Sequence, residues 1–354
     1  MSDVEPADRT GTRHRSRASG RLIGILLVNV ATFCWSTNIV LGRSLRGEIG
    51  PISLAALRFL ASGAILAAFL SRGPTEGRRL GSDRWLLLLM GITGVALFAP
   101  IQYLGLHHTT ALNATIIHAL SPLVTGALAA LLIREPMSRA QAAGAGVGLA
   151  GVLVLISRGS PDFWRTINSS GGDLLILVAV TLWALYTIAG RRVTSRRTVL
   201  SATGLSILLV LPFLLAAMAW EWRSMPPRLS PGLILAVVYI GISPTVIGFL
   251  SWNAGVRRLG SSGAMAFYNT LPLYGVLLAS IFLGEELGPA HLVGGGLIVA
   301  GGLWAAWEQG RQPPAGGSKP AQAEPWGPPP AAEERRRAQS HRTVAPPGAE
   351  DGRP

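Results

Sequence analysis

The chain has 354 residues, 49% hydrophobic and 14% charged, with a formal net charge of +13. All 18 acids fall in tails, in loops or at the ends of apolar runs, whereas a soluble domain scatters them along amphipathic helices, so a soluble globular fold is excluded. The arginine excess shows no basic face with interleaved aromatics, which excludes nucleic acid as a partner, and a single cysteine, Cys34, excludes an intrachain disulfide.

Residues 1–21 read as a basic tail. Ten apolar runs follow, at 22–42, 51–71, 85–104, 110–133, 140–157, 173–190, 199–220, 232–254, 259–283 and 290–307, each near the roughly 20 residues that a membrane helix needs. The arginine-rich start could pass for a signal peptide, but nine further runs make the first an uncleaved span. In it, Trp35, Asn38 and Gly42 lie at i, i+3 and i+7 on one helix face. An aromatic ring, a hydrogen-bonding group and a small residue suit a cavity wall; the alternative is an interfacial tryptophan belt.

Arg58 is the one charge clearly inside a span, in the second run. It could serve as counter-charge to an anionic substrate group, pair with Glu285 as a gate, or snorkel to the surface. The fourth run, "HALSPLVTGALAALLIREP", carries Pro122, which has no N–H and so frees the carbonyl of His118. A free acceptor beside a polar side chain near mid-membrane suits a substrate site, with a packing kink as the alternative. His118, in its neutral form, would offer one donor and one acceptor. Glu135 follows the end of this run. A carboxylate is unfavourable at a helix C-terminus, so a bonding partner and a hinge or gate role are expected.

The sixth run repeats the face of the first with Trp183, Tyr186 and Gly190. The ninth, "YNTLPLYGVLLASIFLGEE", places Tyr268 and Asn269 before Pro272 and ends in Glu285, so the same substrate and gate roles are expected of these residues. Gly144 and Gly148 in the fifth run, with the glycines of the tenth, mark close helix packing, within one chain or between two. Residues 308–354 hold ten prolines among 47 residues and read as a disordered tail.

These features recur. Gly91, Gly105, Pro122, Glu135, Gly144, Gly146 and Gly151 reappear 150 positions on as Gly241, Gly255, Pro272, Glu285, Gly294, Gly296 and Gly301. Trp35, Gly42 and Arg43 reappear 148 positions on as Trp183, Gly190 and Arg191. Two repeats are therefore expected, at 22–157 and 172–307. Five spans in each make the second enter the membrane from the opposite side, which is an inverted repeat. With the N-terminus cytoplasmic, inner tail and loops up to residue 258 hold 17 arginines and outer ones six, so both termini are expected inside. Thirty arginines to one lysine point to a GC-rich, bacterial genome and hence the cell inner membrane.

The sequence resembles the EamA-type proteins of the drug/metabolite transporter superfamily. The resemblance rests on "CWSTNIVLGRSL", "PISLAALRFLASG", "LSPLVTGALAALLIREPMSRAQAAGAGVGLAGVLVL" and "LPLYGVLLASIFLGEELGPAHLVGGGLIVAGG" and covers about residues 22 to 307. It implies an all-α membrane protein of ten helices in two five-helix repeats, with a central cavity partly on the fourth and ninth spans. It also implies transport, often export, of amino acids or other small metabolites.

From the residues, an alternating-access carrier of a small amphipathic metabolite is expected. Mid-span acids are absent, so a facilitator or exchanger fits, with His118 the only mid-span group titrating near neutrality. Export of lipophilic drugs is the alternative within transport; a non-transporting receptor or scaffold is the alternative outside it. His107, His108 and His291 lack metal-ligand spacing, and no Ser-His-Asp set or phosphate loop appears, so no cofactor, metal or enzyme chemistry is expected. The expected partners are a small-molecule substrate and membrane lipid, with the chain a monomer or homodimer.

Overall fold

A computed structural model describes residues 9–134, 138–158, 171–268 and 270–311. Among them there is no strand. The helices are α1 (Arg9–Ser44), α2 (Pro51–Arg72), α3 (Arg84–Gly91), α4 (Phe98–His108), α5 (Ala111–His118), α6 (Ser121–Ile133), α7 (Arg139–Ile156), α8 (Gly171–Thr194), α9 (Val199–Glu221), α10 (Pro231–Ile242), α11 (Gly248–Tyr268), α12 (Thr270–Leu283) and α13 (Pro289–Arg311). α1 begins upstream of the first expected run.

Helix starts follow local chemistry. Pro51 and Pro231 stand in the first turns of α2 and α10, where a missing N–H costs nothing. Thr110, Thr198 and Ser230 accept amide N–H groups at the starts of α5, α9 and α10.

All ten expected runs are helical, but they do not divide evenly. Six helical stretches are long and apolar enough to cross a membrane: 20–47, 51–72, 81–108, 171–194, 199–221 and 231–256. A seventh is the pair α5 and α6, bent by 44° at Ala119–Leu120. Apolar segments 142–156, 270–283 and 289–304 are shorter among the described residues; the last lies within the 23-residue α13.

Three spans are interrupted. α3 passes into α4 through a π turn at Ile92–Leu97, and α10 into α11 through one at Ser243–Ile247, nearly the repeat offset apart. The third break separates α5 from α6.

The architecture is a two-repeat, all-helical membrane fold, and its packing carries the symmetry. α1 packs on α11 and α12; its repeat mate α8 packs on α4, α5 and α6. α2 meets its own mate α9, and α7 meets its mate α13. The α7–α13 seam is reciprocal: a Cβ on Gly151 would stand 2.5 Å from the Gly294 carbonyl, and one on Gly301 2.5 Å from the Gly144 carbonyl. The glycines singled out in the sequence thus face each other within one chain.

At the end formed by residues 43–53, 105–113, 171–173, 221–230 and 285–291 (the far end), two carboxylates tie the repeats together. Glu221 accepts the amides of Ile52 and Ser53 at 3.0 and 2.7 Å and the Ser53 hydroxyl at 2.6 Å. Glu285 accepts the amides of Ala111 and Leu112 at 3.0 and 2.8 Å. Each neutralises the positive end of a helix in the other repeat. At the opposite (near) end, Arg197 pairs with Asp83 at 2.8 Å and donates to the carbonyls of Arg79 and Leu80.

Candidate functional site

A cavity of about 40 Å³ lies between the repeats. Its wall includes Trp35, Asn38, Arg58, His118, Trp183 and Tyr268, with Phe98, Gln102 and Phe249. A smaller space of about 20 Å³ adjoins it, sharing Arg58, Phe98, Trp183 and Phe249 and adding Tyr186, Thr245 and Ser206, the repeat mate of Arg58. Of the residues expected to bind substrate, six therefore line one of two adjoining spaces. Asn269 and the gate residue Glu135 lie outside the described residues.

The aromatic wall is built about the repeat axis. Trp35 and its mate Trp183 meet edge to face with ring centroids 6.4 Å apart. Trp35 also approaches Trp252, Phe249 and Tyr268 at 5.5, 6.0 and 6.1 Å. Trp183 stacks on Tyr186 at 5.0 Å and tilts against Phe98 at 5.2 Å. Such pairs are worth roughly 0.5–1.5 kcal/mol each beyond their burial. They fix broad apolar faces toward the cavity and exclude an interfacial belt for these tryptophans.

The two π turns seat these rings. Trp35 Nε1 donates to the Pro244 carbonyl at 3.0 Å, inside the second turn. In the first turn, a Cβ on Gly94 would overlap the Tyr186 ring. A π turn offsets the ladder by one residue and exposes backbone, which here meets a side chain from the first helix of the other repeat.

Arg58 does not snorkel; it is 5% exposed. Its Nε donates to Thr245 Oγ1 at 3.2 Å and one terminal nitrogen to the Tyr103 hydroxyl at 3.4 Å, which in turn donates to Asn38 Oδ1 at 2.7 Å. The Phe59 ring lies 5.0 Å from the guanidinium carbon. Among the described residues no carboxylate stands within 4.0 Å of it. The expected pairing with Glu285 is corrected: Glu285 caps α5 and stands 3.8 Å from Arg43. The helix end offers it two fixed N–H donors at its own depth, which Arg58 does not.

His118 ends α5 at the break, with its ring edge toward Phe98 at 6.3 Å. Its Nε2 is buried and has no hydrogen-bond partner among the described residues. The carbonyl that Pro122 frees is not open to the cavity, because the Ser121 hydroxyl takes it at 2.7 Å. The side chain, not the carbonyl, is the group left unsatisfied. Pro272 is the third residue of α12, and the neighbouring Leu271 carbonyl accepts the Ser36 hydroxyl at 2.8 Å.

Tyr103, Gln102, Thr245 and the phenylalanines Phe98 and Phe249 were not anticipated from sequence. Two signals mark some of them: "QY" at 102–103 and "SPT" at 243–245 are polar interruptions inside otherwise apolar runs.

A family model described as "EamA-like transporter family" matches residues 22–157 and again 170–307. The chain is 29% identical over 288 residues to "Uncharacterized transporter YyaM" of Bacillus subtilis (strain 168), covering 80% of this chain and 93% of that one. It is 30% identical over 254 residues to "Aromatic amino acid exporter YddG" of Ancylobacter novellus, covering 69% and 81%. A solved structure titled "Crystal structure of protein" superposes with a TM-score of 0.55 at 27% identity, covering 84% of this chain and 100% of that one.

Proposed function

The chain belongs to the EamA-like transporter family, and from that membership we propose that it exports a small amphipathic carboxylate, such as an amino acid, by alternating access around the cavity between its repeats. The observation that carries this reading is Arg58: a buried guanidinium facing an aromatic cavity, held among the described residues by neutral groups. An isolated charge at that depth is costly, and such residues mark substrate pathways. A carboxylate arriving in the cavity would compensate it through charge-assisted bonds. The apolar body of the substrate would lie against Trp35 and Trp183, and His118 Nε2 would supply a second polar contact.

A volume of about 40 Å³ holds a few waters, whereas ligand pockets run to roughly 300–1,000 Å³. The described shape is accordingly a closed one, and loading requires the repeats to part. Export and an amino-acid cargo are supported by the name of the Ancylobacter relative; cytoplasmic termini are supported by the arginine asymmetry. The aromatic lining also suits a lipophilic compound without charge.

Solute counterflow into proteoliposomes separates the two. Aromatic amino acids are offered beside their neutral amides, with the parent and Arg58→Gln. Saturable flux of the acids that Arg58→Gln removes is expected. Equal flux of acid and amide, unchanged by the substitution, would establish the lipophilic reading instead; no saturable flux of either would reject both.

A further inference from the structure

The far end holds a second polar cluster that the cavity does not use. Asp173, 5% exposed in the first turn of α8, accepts the Thr109 hydroxyl and the Asn113 Nδ2 group, the latter 3.1 Å from each oxygen. Asn113 Oδ1 lies 2.9 Å from His291 Nε2, and His291 Nδ1 accepts the Gly288 amide at 2.8 Å. A ring nitrogen that accepts an N–H carries no proton, so the proton of a neutral His291 is on Nε2. The donors therefore run in one direction: Gly288 to His291, His291 to Asn113, Asn113 to Asp173. The line joins α13 and α8 of one repeat to α5 of the other.

The other repeat has nothing equivalent. At the repeat offsets, Asp173, Thr109, Asn113 and His291 correspond to Ile25, Leu259, Gly263 and Gln141. The backbone closure is nevertheless the same at both ends. A Cβ on Gly105 would stand 3.1 Å from the Gly172 carbonyl, and one on its mate Gly255 3.1 Å from the carbonyl of Gly24, the mate of Gly172. One seam thus closes both ends: the Asp83–Arg197 ion pair ties the repeats at the near end, and the line from His291 to Asp173 belongs to the far end alone.

We propose that Asp173, Asn113 and His291 form a proton-released latch that holds the far end shut. The latch needs an ionised Asp173 and a neutral His291. A proton on Asp173 would leave one oxygen accepting from Asn113 Nδ2, turn the other into a donor facing it, and remove the charge that strengthens the bonds from Thr109 and Asn113. A proton on His291 Nδ1 would face the Gly288 N–H. Either leaves donor against donor, which an open, watered end relieves, so proton uptake accompanies opening and acid favours the open far end. Other charged groups act on this cluster: Arg158 from the end of α7 on Asp173 and His291, and Glu285 from the linker before α13 on His291; Arg43 from α1 stands 3.8 Å from Glu285.

The inference rests on alternating access, and its test reads opening without reference to any cargo. In the full chain with Cys34→Ala, a cysteine is placed at the fully buried Ala111 behind the latch, and separately at Ala189 in the near-end core. The detergent-purified proteins are labelled with a water-soluble maleimide, each rate being divided by that of the unfolded chain at the same pH. From about pH 8 to about pH 5, labelling at 111 should rise about two- to tenfold, as loss of one hydrogen bond allows, and labelling at 189 should not. Asp173→Asn should label fast at 111 already at the higher pH. Asn113→Ala breaks the line without removing a titratable group and should do the same if the aspartate variant does not fold. A pH-independent rate at 111, an equal rise at 189, or a folded variant of either kind as slow as the parent overturns the latch. Absence of flux in liposomes alongside the expected labelling would instead count against the transport reading alone.

Discussion

Arg58 sits among neutral neighbours, Thr245, Tyr103 and, through Tyr103, Asn38. A hydrogen bond to a charged group contributes about 1.5–3 kcal/mol. Arg58→Gln should therefore weaken binding of a carboxylate cargo about tenfold to a hundredfold, measured by tryptophan quenching from Trp35 and Trp183, while leaving a neutral amide unaffected. Arg58→Lys keeps the charge but not the planar fork and should fall between. His118 is the second test at this scale. Its Nε2, unpartnered among the described residues, predicts that His118→Ala costs roughly 0.5–1.5 kcal/mol, a few-fold to tenfold in apparent affinity, and that His118→Gln is milder. Unchanged affinity with a lowered melting temperature would reduce it to packing. The sequence exposed Arg58 as the lone mid-span charge and His118 beside its proline. It left open counter-charge, pairing with Glu285 and snorkelling for Arg58, because depth and helix-end geometry decide which acid can reach which donor, and Glu285 reaches the α5 amides.

Among the elements, the interrupted helices carry the site. Each π turn receives a side chain from the first helix of the opposite repeat, and the α5–α6 break presents His118. The glycine seam sets how closely α7 and α13 approach. Ala at Gly151 would press a Cβ to 2.5 Å from the Gly294 carbonyl and 2.9 Å from Ile298. Overpacking of this kind costs roughly 1–3 kcal/mol, so Gly151→Ala should lower the melting temperature, and Gly301→Ala should do so by a similar amount through Gly144. Once one substitution has parted the helices the second meets less resistance, so the double variant should lose less than the sum. Additive losses would show that the two ends of the seam open independently. The periodicity of glycines was legible in the sequence. The π turns were not, since one inserted residue leaves an apolar run looking like any other.

At the scale of the molecule, the repeats divide the work unequally: the closure is shared, but Arg58, His118 and Asp173 face serine, tyrosine and isoleucine at the matching positions. The composition of residues 313–354, rich in proline and poor in large apolar side chains, cannot bury enough surface to offset the entropy of ordering. Deleting them should leave insertion, melting temperature and flux close to the parent; loss of flux in a correctly inserted protein would reveal a role for the tail. With Cys34 replaced, an impermeant thiol reagent added to intact cells should label cysteines placed at 158–172 and spare those in either terminus. Labelling of the C-terminal tail would reverse the orientation drawn from the arginines.

What the sequence determined by itself was whatever depends on periodicity and cost. Apolar length named the membrane, the 150- and 148-residue offsets named the two repeats, and the expense of a mid-span charge singled out Arg58. These are local sums, which hold however the helices are arranged. The tertiary structure alone decided which groups meet. It brought Trp35 against Trp183, sent Glu285 to the α5 amides, and linked Asp173 to His291 through Asn113. Hydrogen bonds reach only about 3 Å, and residues 60 to 180 positions apart come within that range only after the repeats have packed.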